Sequence, residues 1–212
     1  MKLTKTKVLV ALALLALSHL LVLYVGYYKI PQPQYPDPQR LLQTVHTPDE
    51  SGTDAYVAWA NKRCRGGPMY VAIYTLTNAR VVDTWIDLKT KHRTDVRVVL
   101  DLSESRAVEN EKAQIARLDE AHIPYRIGHS TKGSAIMHDK FSACGGEWVE
   151  DGSWNYTDAA DDQANTLNFN IVPSPMRYAL FQGEWQKLWD DFGQQEIRRA
   201  NRGKKRPRTK KE

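Results

Sequence analysis

Cysteine is scarce in this sequence: Cys64 and Cys144 are the only two thiols among 212 residues. They form no CxxC pair and no cluster with histidine, which argues against a structural zinc site. Sequence alone does not show whether the two residues are close in space. Pairing in an oxidising compartment and burial as free thiols both stay open, and we favour free thiols.

The apolar content is higher than is typical of a disordered chain. Apolar residues make up 42% of the sequence and charged residues 26%, with a net charge of +5. A chain of this length can bury a proper hydrophobic core. We therefore predict one folded domain with appendages at its two ends.

Long apolar runs are also absent, except near the N-terminus. Residues 8–28 carry no charged side chain apart from His19, and their number matches the hydrocarbon thickness of a bilayer. Tyrosines follow instead of a clean small-x-small cleavage site, so we predict that residues 1–29 are an uncleaved membrane anchor in the form of a transmembrane helix. A cleaved signal peptide is the alternative.

Lysines flank this apolar run unequally. Lys2, Lys5 and Lys7 precede it, whereas only Lys29 follows soon after. The positive-inside rule then places the N-terminus in the cytosol and the rest of the chain on the extracytoplasmic side, which in a bacterium is the periplasm. A single-pass membrane protein is expected, or a protein secreted to the periplasm if the segment is cleaved.

Two further segments differ in composition from the centre of the chain. Residues 30–54 contain alternating prolines and are predicted to be an extended linker. Residues 195–212 are strongly basic and are predicted to be a disordered tail that is attracted to polyanions. The folded, catalytic part is therefore expected to span residues 55–194.

Within this central part, buried strands alternate with amphipathic helices. Apolar strands are predicted at residues 69–76 and 94–103, with a helix capped by Asn78 between them. A final amphipathic helix is expected after Ser174 and Pro175. This order predicts an α/β domain whose mixed, mainly parallel sheet is flanked by helices.

One short stretch, "AIMHDKFSACGG" at residues 135–146, interrupts an apolar strand pattern with charged side chains. The period-two spacing places His138 and Lys140 on the same face of a predicted strand, and Ser153 and Asn155 in "GSWN" also share a face. Lys140, Ser153 and Asn155 can donate hydrogen bonds to phosphate oxygens. His138 can act as the nucleophile, so the pattern predicts phosphoryl chemistry that requires neither a metal nor another cofactor.

The HDK and GSWN motifs, together with the order of elements from Ala55 to Phe192, resemble the phospholipase D superfamily. The likeness covers about two-thirds of the chain and is to its small single-motif members, the bacterial periplasmic endonucleases and the mitochondrial cardiolipin hydrolase and Zucchini nucleases. It implies a phosphodiester hydrolase acting on phospholipid or nucleic acid through a phosphohistidine. In this family two HxK motifs meet at one site, and here only His138 begins one, so the resemblance implies a homodimer.

The sequence departs from the family pattern at two places. Gly145 stands where the HxK motif is usually followed by an aspartate. The glutamate that orients the catalytic histidine is replaced by Thr166 in an ungapped count, or by Asn168 after a two-residue insertion, with Asp161 or Asp162 as substitutes if the loop folds back. The alternative function is therefore a catalytically impaired, membrane-tethered protein that binds anions or nucleic acid.

Overall fold

A computed structural model describes residues 16–20, 41–130 and 135–204 of the chain. The chain divides into two units, Met1–Pro38 and Gln39–Glu212. In the first unit, residues 16–20 are helical, and the predicted anchor otherwise lies outside the described residues. None of the helices in the described ranges has the length and apolar character needed to cross a membrane.

The second unit contains the folded domain. Its described residues form seven strands and five α-helices, which are β1 (Leu42–Thr47), α1 (Gly52–Arg63), β2 (Pro68–Ile73), α2 (Ala79–His92), β3 (Asp95–Asp101), α3 (Leu102–Ala107), α4 (Glu109–Glu120), β4 (Tyr125–Gly128), β5 (Lys140–Cys144), β6 (Trp148–Gly152), β7 (Asn165–Asn170) and α5 (Pro175–Lys204).

All seven strands belong to one sheet in the order β1-β7-β6-β5-β2-β3-β4. Only the pairs β2/β3 and β3/β4 are parallel, whereas the other four pairs are antiparallel. The predicted mixed α/β sheet is present, but the expectation that it is mainly parallel is wrong. The reason is that β5 and β6 are joined by a tight turn, and such a short connection permits antiparallel pairing alone.

These strand directions bring several chain segments to one end of the sheet. Ile73 at the end of β2 is paired with Lys140 at the start of β5, and Asp101 at the end of β3 is paired with Gly128 at the end of β4. We call the end of the sheet formed by Ile73, Asp101, Gly128 and Lys140 the upper edge. The segments that leave and enter the sheet there come from four different parts of the sequence.

The sheet buries a core on each face. On one face, the helices α1 and α2 cover a cluster that includes Tyr56, Trp85 and Tyr156, all fully buried. On the other face, α5 covers a smaller cluster that includes Trp185 and Phe192. The predicted helix caps are confirmed, because the side chain of Asn78 accepts a hydrogen bond from the Val81 amide and that of Ser174 accepts one from the Arg177 amide.

Both predicted boundaries of the folded domain are corrected by the structure. Strand β1 pairs with β7 over its whole length and α1 begins at Gly52, so about the second half of the predicted linker, residues 30–54, belongs to the fold. The final helix continues to Lys204, into the predicted disordered tail of residues 195–212. The helix persists because Gln195 and Arg199 bond to the backbone at the end of β4.

The two cysteines form a disulfide, so the preference for free thiols is wrong. Cys64 directly follows α1, and Cys144 ends β5, where it is paired with Met69 of β2. Because β2 begins only a few residues after Cys64, this strand pairing brings the two Cα atoms to 5.3 Å, within the range that a disulfide requires. The disulfide depends on the pairing of strands that are distant in sequence, and sequence alone does not show this pairing.

Candidate active site

His138 and Lys140 lie together at the upper edge, but not on one strand as predicted. Strand β5 begins at Lys140, and His138 is in the extended segment that precedes it. The imidazole is exposed, whereas Lys140 is only 7% exposed. The ammonium of Lys140 donates a hydrogen bond to the carbonyl oxygen of His138, 2.9 Å away, which connects the two residues.

Tyr74, which the sequence analysis missed, contacts both of them. Its ring centroid lies 4.7 Å from that of His138 and 5.2 Å from the Nζ atom of Lys140. The phenol donates a hydrogen bond to Glu104 at 3.1 Å, which fixes the ring from its far end. Its position near the end of the predicted strand at residues 69–76, which leads to the upper edge, is the signal that could have identified it.

Asp101 holds the backbone that leads to His138. Its carboxylate is completely buried at the end of β3 and accepts hydrogen bonds from the amides of Met137 and Ser103, both at 2.7 Å. The bond to Met137 fixes the residue directly before His138. An aspartate at the end of an otherwise apolar strand, "RVVLD", is the sequence feature that marks this residue.

Electrostatics favour a neutral imidazole beside a charged ammonium near neutral pH. Partial loss of hydration lowers the pKa of His138 and the Lys140 charge lowers it further, against opposing effects of Asp139 and Asp101. Burial also lowers the pKa of Lys140 to about 8, although Asp139 opposes this shift. A neutral imidazole can act as a nucleophile, and a partly desolvated ammonium binds an anion more strongly than an exposed one.

The GSWN motif begins where β6 approaches β7 closely. A side chain at Gly152 would collide with the carbonyl oxygen of Thr166, so only glycine fits there. The hydroxyl of Ser153 accepts a hydrogen bond from the Thr166 amide at 3.0 Å and donates one to Asn165 at 3.2 Å. These bonds link β6 to β7, and the predicted contact of Ser153 with substrate stays a prediction.

Backbone hydrogen bonds of Tyr156, the residue after Asn155, hold this segment near the upper edge. The carbonyl oxygen of Tyr156 accepts hydrogen bonds from the amides of Thr77 and Asn78, shortly after Tyr74. The carboxamide oxygen of Asn155 is buried and has no hydrogen-bond partner among the described residues. Buried polar atoms are normally bonded, so this oxygen is an exception that lacks a hydrogen-bond donor among the described residues.

The positions predicted to replace the orienting glutamate point elsewhere. Thr166 lies within 3.3 Å of a ring nitrogen of His46, and Asn168 accepts a hydrogen bond from Thr44, so both side chains interact with β1. Asp161 accepts hydrogen bonds from Ser51 and Trp154 and is thereby fixed beside the start of α1. The described contacts of these three residues do not include His138.

A buried hydrogen-bond network lies behind Lys140. Ser142, two residues further along β5, is 2.8 Å from the hydroxyls of both Tyr56 and Tyr156. The hydroxyl of Tyr156 in turn donates to Glu150 at 2.7 Å, and burial raises the pKa of Glu150 to about 8. The carboxyl is therefore predominantly neutral at neutral pH, and the network supports the strand that carries Lys140.

Within the described ranges, no group of three or more histidine, cysteine, aspartate or glutamate side chains is arranged to bind a metal ion. An imidazole, an ammonium and a phenol meet at the upper edge, and the carboxamide of Asn155 belongs to a segment that is bonded to the chain shortly after Tyr74. These groups can provide a nucleophile and hydrogen-bond donors for an anionic group.

Comparisons with known proteins identify relatives of this chain. A family model described as a cardiolipin synthase, PLD-like domain, matches residues 65–189, which is more than half of the chain. A mitochondrial cardiolipin hydrolase from Chlamydomonas reinhardtii is 31% identical over 122 residues. This alignment covers 58% of the chain and 51% of the relative, so the chain spans about half the length of that protein.

Two solved bacterial structures have a similar fold. Nuc from Salmonella typhimurium, a phospholipase D family member, matches with a TM-score of 0.63 and 23% identity, over 70% of this chain and 93% of the other. NucT from Helicobacter pylori matches with a TM-score of 0.61 and 15% identity, over 70% and 95% of the two chains. At these identities, the likeness concerns the fold alone.

Proposed function

The chain belongs to the phospholipase D superfamily, and from this premise we propose that it hydrolyses phosphodiester bonds through a phosphohistidine on His138. The observation that carries the proposal is the pairing of an exposed imidazole with the buried ammonium of Lys140, both in contact with the ring of Tyr74. Such a pair places a nucleophile beside a fixed positive charge.

In the first chemical step, a ring nitrogen of His138 attacks phosphorus and the bond from phosphorus to the leaving alcohol oxygen breaks. The ammonium of Lys140 and the carboxamide nitrogen of Asn155 donate hydrogen bonds to the phosphate oxygens as their charge increases. A second histidine protonates the leaving alkoxide. This step produces a free alcohol and a phosphohistidine.

In the second step, the second histidine takes a proton from water, which attacks phosphorus and breaks its bond to the nitrogen of His138. A phosphate monoester leaves, and the imidazole is restored. The chain contains a single HxK motif, so we propose that His138 of a second copy supplies the second histidine. The exposure of His138 at the upper edge favours such a two-fold arrangement.

The proposed location is a membrane-anchored domain on the extracytoplasmic side, or a periplasmic protein if the N-terminal segment is cleaved. The lysine distribution around residues 8–28 supports this orientation. The disulfide between Cys64 and Cys144 supports it independently, because disulfides persist mainly in oxidising compartments.

A catalytically impaired, anion-binding protein is the second candidate. It is favoured by one observation: Thr166 and Asn168, at the positions of the usual glutamate, interact with β1 and leave His138 without a hydrogen-bonded carboxylate among the described residues. In this case the same residues would bind a phosphodiester without cleaving it.

One set of assays separates the two candidates. The purified protein is incubated with single-stranded DNA, duplex DNA, RNA, phosphatidylcholine and cardiolipin, each in the presence of a chelator, with His138→Ala as the control. The hydrolase proposal predicts chelator-resistant turnover of at least one substrate, and none by His138→Ala. Binding without turnover by either protein would favour the second candidate.

A further inference from the structure

A cationic cavity lies beside the proposed active site, next to the Asp101 and Gly128 ends of β3 and β4. It is open, has a volume of about 500 Å³, and is bounded by the last turns of α5, by α3 and by the residues that follow β4. Four guanidinium groups and one carboxylate contribute to its lining, from Arg106, Arg198, Arg199, Arg202 and Asp191. Its local charge is therefore strongly positive.

Most of this charge is not neutralised within the protein. The side chains of Arg106, Arg198 and Arg202 are exposed, and the described part of the chain offers them no ion pair and no hydrogen bond. Arg199 donates to the carbonyl oxygen of Ile127, and the Asp191 carboxylate accepts a hydrogen bond from Gln195. By contrast, Arg80 and Arg117 elsewhere on the surface are paired with aspartates.

His129, which lines the cavity, has a polar atom without a partner. The Nδ1 atom of His129 is buried and makes no hydrogen bond to the described residues. The backbone of His129 is held on both sides by Gln195, which accepts from its amide and donates to its carbonyl oxygen. The backbone that carries this imidazole is thus fixed beside the guanidinium groups, and the unpartnered nitrogen is an exception to the usual bonding of buried polar atoms.

The cavity is connected to the active site through the end of β3. Leu102 lines the cavity, and the adjacent Asp101 binds the amide of Met137, directly before His138. The pairing of Asp101 with Gly128 places His129 at the same end of the sheet. A ligand with several phosphates could therefore occupy the cavity and the catalytic residues at once.

We propose that this cavity binds a backbone phosphate of a polynucleotide whose scissile phosphate lies at His138. Guanidinium groups match phosphate geometry with paired hydrogen bonds. The inference rests on the proposed function for the identity of the cleaved bond, and it adds the substrate class. The cavity contributes affinity for the phosphate backbone and little discrimination between bases.

The distribution of apolar side chains favours a polynucleotide over a phospholipid. Among the described residues of the folded unit, most of the large apolar side chains that are exposed lie towards the other end of α5, at Ile171, Val172, Met176 and Leu180. Ile136 near the active site and Ile197 on the last turns of α5 are the other two described in this unit, and Ile197 lines a different pocket from the arginine cavity. The cavity itself is lined mainly by charged and polar groups. Acyl chains would need an apolar surface there.

The test uses the full chain in detergent and the double variant Arg198→Ala/Arg202→Ala. Binding of a labelled single-stranded oligonucleotide is measured by fluorescence anisotropy over a series of salt concentrations, in a His138→Ala background that prevents cleavage. Loss of the one phosphate that the cavity binds should lower the slope of log affinity against log salt by about 0.7. In the active protein, KM should rise more for the oligonucleotide than for a diester with one phosphate.

Two controls make the result specific. Lys62→Ala/Arg65→Ala removes two exposed positive charges near the start of β2, at the opposite end of the sheet, and should leave the salt slope unchanged. Arg198→Lys/Arg202→Lys keeps the charges and should retain most of the slope. An unchanged slope in the double alanine variant, or a slope equally reduced by the Lys62 and Arg65 control, would overturn the proposed site.

Two further outcomes distinguish this inference from binding of phospholipid and from the proposed hydrolase function. If the alanine variant loses binding to anionic phospholipid vesicles but not to the oligonucleotide, the polynucleotide class is wrong. If the oligonucleotide effect is present but the wild-type protein cleaves no diester, the proposed hydrolase function fails while the binding site stands.

Discussion

The phenol ring of Tyr74 lies against the imidazole of His138, with 4.7 Å between the ring centroids, and the Nζ atom of Lys140 is 5.2 Å from the same ring. A single side chain, directly after β2, thus contacts both the imidazole and the ammonium of the HDK motif. The hydrogen bond from its hydroxyl to Glu104 keeps the ring in place. Tyr74 is therefore expected to orient the proposed nucleophile.

Replacement of Tyr74 should separate orientation from binding. Tyr74→Ala removes the ring, and the misplaced imidazole should lower kcat by up to about 100-fold with a smaller effect on KM. Tyr74→Phe retains the ring but loses the bond to Glu104 that holds it, so its kcat should fall clearly less than that of Tyr74→Ala. Steady-state kinetics check this, and an equal loss in both variants would refute a role of the ring.

The loss of activity at high pH, the alkaline limb of the pH profile, should reflect deprotonation of Lys140. Only the protonated amine can stabilise the phosphate oxygens, and burial lowers its pKa to about 8, so kcat/KM should fall as the pH rises through about 8. Lys140→Arg keeps a positive charge at all these pH values and should remove this limb, although its rate at the plateau will be lower. A limb that persists unchanged in Lys140→Arg would assign it to another group.

Stability should fall with increasing pH because of Glu150. Its pKa is raised from 4.5 to about 8 in the folded protein, so the unfolded chain releases a proton that the folded chain keeps. The contribution is fully present below about pH 4.5 and is lost as the pH rises through about 8, at about 1.4 kcal/mol per unit of pKa difference. Urea unfolding of wild type and Glu150→Gln across this range should show a flatter profile for the variant.

A different result would contradict this prediction for Glu150. If the wild type and Glu150→Gln respond identically to pH between about 4.5 and 8, the carboxyl ionises inside the fold without cost, and the neutral network behind Lys140 is wrong.

The disulfide should contribute substantially to stability. Cys64 and Cys144 are 80 residues apart in sequence, and closing a loop of that size restricts the unfolded chain by about 4 kcal/mol. Cys64→Ala/Cys144→Ala should lower the free energy of unfolding by that order, and a reductant should have the same effect on the wild type alone. Two thiols that react with a labelling reagent in the denatured, unreduced protein would contradict the bond.

The sequence predicted the parts of the fold and site that depend on local patterns. Asn78 and Ser174 cap helices as expected, because capping involves residues three positions apart. Lys140 and His138 are neighbours in sequence, so their proximity was also predictable. The segment before β5 is nevertheless not a strand at His138, since the pairing of β2 with β5 ends at Ile73 and Lys140.

Features that depend on distant strand pairing could not be predicted in this way. From the ends of two other strands, Tyr74 contacts His138 and Asp101 binds the amide of the preceding residue, Met137. No local pattern indicates that these segments meet. The disulfide likewise depends on the register of β2 with β5. The spacing count that selected Thr166 and Asn168 did not account for the direction of β7, whose polar side chains interact with β1.

The central claim is that His138 forms a covalent bond to phosphorus, and acid-quench trapping tests it most directly. The wild-type protein and His138→Ala are mixed with a diester labelled on the phosphoryl group that would stay on the enzyme, quenched during turnover, and examined for bound label. The proposal predicts an acid-labile, base-stable adduct on a peptide that contains His138, and neither adduct nor turnover in the variant. Turnover by His138→Ala at a rate comparable to that of the wild type would contradict it.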